Sequence, residues 1–101
     1  MEQKILICYL HEEFIGKLLS FLFPENFDKN IILPNNSIEI YLVNENKSFK
    51  IKTCLGLNQS YKNFPSDIVY IEKSLVTEET KNLLEDIKKD KIVEIYELRK
   101  L

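Results

Sequence analysis

KILICYL, residues 4–10, passes from one charge into an unbroken apolar run, Ile5 to Leu10, with no alternation of polar and apolar positions. A strand with one face in water alternates, so this run predicts a strand covered on both faces. Working outward, EEFIGKLLSFLF (residues 12–23) has carboxylates in its first turn and apolar side chains at 14, 15, 18, 19 and 22, and it stops at Pro24. That spacing predicts a helix with its acids at the favourable end of the dipole. Adding Phe21 and Phe23 widens its apolar arc to roughly 200°, twice what one contact face needs, so this helix is expected to touch more than its own sheet.

The second half repeats the theme. DIVYIE (67–72) opens with another continuous apolar run, again a strand covered on both faces. VTEETKNLLEDIKK (76–89) supplies Thr77 as a helix N-cap, glutamates after it, a stripe at 76, 80, 83, 84 and 87, and lysines at its end. KIVEIYELRKL (91–101) reads as a closing strand. Between the halves, residues 24–36 read as loop, with Ile31–Leu33 suited to a sheet edge. SIEIYLVNENKSFKIKTCL (37–55) reads as a hairpin turning at NENK. GLNQSYKNFPS (56–66) reads as a polar connector.

These elements predict an α/β fold of two βαβ units plus a hairpin strand, with two helices on a mixed sheet of about five strands, ferredoxin-like or Rossmann-like. Residues 1–101 are expected to form a single domain. IEIYLVNENK at 38–47 echoes VEIYELRKL at 93–101, which suggests half-repeats over 4–44 and 67–98. The ferredoxin-like arrangement, with both helices on one side, is the more economical reading. It leaves apolar residues of the central strands bare on the other side, and self-association is the usual cover, so a homodimer is expected. A doubly wound sheet with a helix on each face needs no such partner.

Composition narrows the class. A chain of 101 residues with 45% hydrophobic content can close one core unaided. Two cysteines cannot build a disulfide framework, and no apolar stretch reaches the ~18 residues that cross a bilayer, so a cytoplasmic protein with free thiols is expected. With a net charge of −2 and Arg99 as the only arginine, sequence-specific DNA binding is not expected. Two glycines give no phosphate-cradling loop, and no metal-ligand spacing is present, so neither cofactor nor metal is expected.

Few residues invite chemistry. Cys8, inside a strand, reads as a small core hydrophobe; Cys8, His11 and Cys54 could in principle converge, but their spacing matches no metal motif. His11, the only histidine, falls at the end of a central strand, on the edge where open α/β sheets bind ligands. From Lys47 to Ser66 the chain is basic and contains Phe49, Tyr61 and Phe64. There Lys50 and Lys52, on one strand face, and Lys62 could hold phosphates while Tyr61 stacks a base, although such lysines are more often the solvated side of a strand.

ILICYLH followed by a helix, then DIVYIEKSL with a helix and the closing strand IVEIYEL, resemble the layout of small CRISPR-associated and viral proteins that bind cyclic oligoadenylates, some of which cleave them. The resemblance is topological apart from the position of His11, and the Gly-His-rich segment of the viral ring nucleases is missing. It implies a dimer with ligand at its seam. The leading expectation is a small non-catalytic interaction or regulatory protein, a homodimer that binds a protein or peptide. The alternative is a nucleotide or cyclic oligonucleotide binder, or a slow ring-opening nuclease, built on His11, Lys50, Lys52, Tyr61 and Lys62.

Overall fold

A computed structural model describes residues 2–24, 40–44 and 47–101. In chain order the elements are β1 (Glu2–Tyr9), α1 (Glu13–Leu22), β2 (Ile40–Asn44), β3 (Lys47–Leu55), β4 (Ile68–Glu72), α2 (Lys81–Asp90) and β5 (Ile92–Tyr96). Short 3₁₀ turns occupy Gln59–Asn63, Lys73–Leu75 and Leu98–Lys100. The expected edge triplet at 31–33 and the tip of the NENK turn lie outside the described residues.

One sheet holds all five strands in the order β2-β3-β1-β4-β5. β1 lies parallel to β3 and to β4, β4 lies parallel to β5, and β2 alone runs antiparallel, along β3. The two apolar runs, ILICYL and IVYI, therefore occupy adjacent inner positions, as their lack of alternation requires. The segments whose sequences echo each other sit differently, since β2 is an antiparallel edge and β5 a parallel one.

The helices cover opposite faces. Ile5, Ile7 and Tyr9 of β1 pack with Phe14, Ile15, Leu18 and Leu19 of α1, together with Ile51 and Ile68. Leu6 and Cys8, the intervening residues, point the other way. They pack with Val69, Ile71, Leu75, Tyr61 and Phe64, and with Leu84 and Ile87 of α2. The fold is thus the Rossmann-like, doubly wound one, and the economical expectation of both helices on one side is corrected. From β1 the chain crosses to β3, and from β4 to β5, in opposite directions along the sheet, and right-handed crossovers in opposite directions put their helices on opposite faces. The bare face that argued for a dimer is occupied.

Local chemistry explains three further differences. The connector 56–66 is no surface loop: its 3₁₀ turn brings Tyr61 and Phe64, three residues apart, down together beside α2. Thr77 does not cap α2. The Thr80 hydroxyl donates to the Leu75 carbonyl at 2.7 Å and accepts the Thr77 N–H at 2.9 Å, which makes a turn, and the helix begins only at Lys81. The final strand ends at Tyr96, after which the chain folds back and lays Leu98 and Leu101 against the α1-side core.

The wide arc of α1 is used at both ends of its aromatic run. Phe23 packs on Phe49 of β3 with ring centroids 4.7 Å apart, and Phe21 meets Tyr96 of β5 edge-on at 5.6 Å. At the end of β3, Gly56 adopts φ 83°, a conformation that costs other residues, and its N–H donates to the Tyr9 carbonyl at 2.7 Å.

Candidate ligand site at the carboxyl edge of the sheet

The crossovers from β1 and β4 leave in opposite directions, so the carboxyl ends of these neighbouring strands form the topological switch point, where open α/β sheets bind ligands. β1 ends in Tyr9 and passes through Leu10, His11 and Glu12 into α1; β4 ends in Glu72. Glu72 is wholly buried, 0% exposed, while the His11 side chain beside it is 53% exposed.

The burial of a carboxylate here has a local cause. Once β1 stops, the amides of Leu10 and His11 have no strand partner, and Glu72 Oε1 accepts both, at 2.8 and 3.0 Å. Its other oxygen, Oε2, lies 2.6 Å from His11 Nδ1, and the Ser74 side chain adds a further hydrogen bond. Burial by itself raises the pKa of this carboxyl; the bonds from His11, Leu10 and Ser74 outweigh it and hold Glu72 below its ordinary value of 4.5. The ion is buried with its lone pairs satisfied, the condition under which a buried charge is tolerated.

Two consequences follow for chemistry. In doubly wound nucleotide-binding sheets the first strand-to-helix turn offers its amides to phosphate. In this chain an internal carboxylate already takes the amides of Leu10 and His11, so a ligand must be met by side chains. Secondly, engaging Nδ1 fixes the plane of the imidazole and leaves Nε2 as the ring nitrogen available to a ligand, the relation that a carboxylate imposes on an oriented histidine.

An open cleft of about 460 Å³ connects to this pair through Ser74, and is lined by Glu13 and Lys17 of α1, by Ser74, and by Glu97, Leu98 and Arg99 after β5. Its cations and carboxylates are interleaved. Glu97 lies 3.1 Å from Arg99, 3.1 Å from Lys100 and 3.9 Å from Lys73, which hold its carboxyl below the usual range, the Lys100 hydrogen bond contributing most.

The other residues singled out from sequence lie elsewhere. Lys50 and Lys52 do share a face, on the α2 side, and their ammonium groups stand 6.0 and 5.7 Å from the ring centre of Phe64. They align with Lys4 and Leu6 of β1, so Lys52 is level with a position three residues before the end of that strand, whereas His11 lies beyond it. Tyr61 is 4% exposed and packed in the core, so its ring is not open to a base, and Lys62 stands over that ring at 5.9 Å. The structure therefore groups Lys50 and Lys52 around Phe64 and keeps His11 apart from them.

Cys8 and Cys54 meet as strand neighbours on the α2 side, whereas His11 turns to Glu72. Among the described residues no group of three or more His, Cys, Asp or Glu is placed to hold a metal, and no helix is long and apolar enough to cross a membrane. Glu72 escaped the sequence reading. The signal was present: IVYIE ends a both-faces-buried strand in an acid, just where ILICYLH ends in the histidine. Comparison with protein-family models and with curated proteins found no match to this chain.

Proposed function

We propose that this chain is a recognition domain for a small phosphate-bearing ligand of the nucleotide class, cyclic oligonucleotides included, held at the carboxyl edge of its sheet by His11. The observation that carries the reading is the imidazole at the switch point, with Nδ1 fixed at 2.6 Å from a wholly buried carboxylate. Lys17 and Arg99 in the adjoining cleft are suited to phosphate, and Glu13 and Glu97 to ribose hydroxyls. The test is thermal shift and calorimetry against mononucleotides, linear oligonucleotides and cyclic oligonucleotides. At least one class should bind, with affinity reduced about tenfold or more in His11→Ala and unchanged in Lys50→Ala. Silence across the panel, or a loss that follows Lys50 instead of His11, would refute the reading. Chromatography of the same samples separates a binder from a slow ring-opening nuclease.

A second reading, association through β5, has its own support. Among the described residues this strand ends the sheet; it carries no proline and one acid, Glu94, and exposes Ile92 and Ile95 at 62% and 38%. Sheet edges without proline or a row of charges can add a further strand, from a second copy in a homodimer or from a peptide. Light scattering over a concentration series should show dimers that Ile92→Lys abolishes. A monomer at every concentration would remove homodimerisation.

A further inference from the structure

We propose that Cys8 and Cys54 form a reversible dithiol–disulfide couple across β1 and β3, a redox site on the face of the sheet opposite His11. The two residues are direct Cα partners in the parallel ladder. Neighbouring strands stand about 4.8 Å apart, within the roughly 4.4–6.8 Å that a disulfide spans between Cα atoms. Their side chains point to the same face of the sheet, Cys8 within the α2-side core and Cys54 against it. Neither is in a disulfide; Cys8 is buried and Cys54 half-buried at the margin of the α2-side core.

The asymmetry assigns the roles. The hydrogen bond to Cys54, and then burial, push the Cys8 thiol well up and keep its proton in place. Cys54, the one solvent reaches, makes the first attack on a peroxide. Its sulfur bonds to one peroxide oxygen, the O–O bond breaks, and the departing hydroxide takes up the proton released by the Cys54 thiol and leaves as water, with Cys54 now a sulfenic acid. The Cys8 sulfur then attacks Cys54 Sγ. The S–S bond forms, the S–O bond breaks, and the hydroxyl leaves with the Cys8 proton as a second water. Two thiols lose two electrons and hydrogen peroxide accepts them; a dithiol reductant reverses the step by exchange.

The placement gives the couple a route to the candidate site. Cys8 is followed by Tyr9, whose carbonyl binds Gly56, and then by the Leu10–His11 turn held by Glu72. A covalent tie between residues 8 and 54 fixes β1 to β3 one step below that turn. Native protein would be treated with hydrogen peroxide, then unfolded and alkylated with N-ethylmaleimide, and its intact mass recorded. The expected result is a monomer lighter by two hydrogens, refractory to the maleimide and restored by dithiothreitol. Cys8→Ser should then show oxygen addition at Cys54, and Cys54→Ser should leave Cys8 reduced. Recovery of wild-type protein with Cys8 still alkylatable, or of disulfide-linked dimers only, would overturn the proposal.

Discussion

Replacing Glu72 by alanine removes one carboxylate and strands two backbone donors. The Leu10 and His11 amides lose their acceptor, and the His11 imidazole loses its anchor. A hydrogen bond to a charged group contributes about 1.5–3 kcal/mol, so the two amide bonds together come to roughly 3–6 kcal/mol. The imidazole bond adds little, because that side chain is half in water. Water entering beside it would re-satisfy part of the opened turn, which brings the expected loss to about 3 kcal/mol. For a domain of this size that lowers Tm by roughly 12–24 °C. Urea unfolding of wild type, Glu72→Ala and the exposed-site control Glu79→Ala measures it, the control falling within about 0.5 kcal/mol of wild type. A loss below about 1 kcal/mol for Glu72→Ala would refute the claim that this carboxylate anchors the turn.

The remaining predictions concern pH, a buried hydroxyl, a glycine and a helix. Because the folded state holds Glu72 below its ordinary value of 4.5, its stabilisation is fully present above that pH and is lost as pH falls through the lower, folded value; the stability gap between wild type and Glu72→Gln should therefore close in acid, and a gap unchanged down to pH 2 would contradict this. Thr53 is buried with no partner for its hydroxyl among the described residues, so Thr53→Val should raise stability by about 1 kcal/mol in urea titration. Gly56→Ala should cost about 1–2 kcal/mol through its φ of 83°, since an added Cβ meets nothing closer than 4.0 Å. Ile87→Ala, at the fully buried anchor of α2, should cost about 2–5 kcal/mol; a negligible loss would mean that α2 does not seal its face of the sheet.

What could be read from the sequence was whatever depends on long apolar patterns. ILICYL and IVYI declared themselves as inner strands because a strand covered on both faces cannot alternate. Smaller parts of the cover on each face were illegible because they depend on few residues. Tyr61 and Phe64 look isolated in a polar connector until a 3₁₀ turn, with its period of three, aligns them, and Leu98 and Leu101 hide in the same way at the end of the chain. Bare apolar surface was expected, and a dimer inferred from it, because both helices were placed on one side of the sheet, whereas α2 covers the second face. His11 was legible as the only histidine at the end of an inner strand. Glu72 was not, because an acid at a strand end ordinarily faces water; only the pairing of β1 with β4 brings it beneath amides 61 and 62 residues away in sequence.

The most direct test of ligand recognition at this edge is a ¹⁵N-resolved NMR titration of the full chain with the nucleotide panel. Shifts should concentrate at the amides of residues 10–17, 72–76 and 97–99, accompanied by a change at the His11 ring nitrogens. Shifts centred on Lys50, Lys52 and Lys62, or a spectrum unmoved at millimolar ligand, would contradict it.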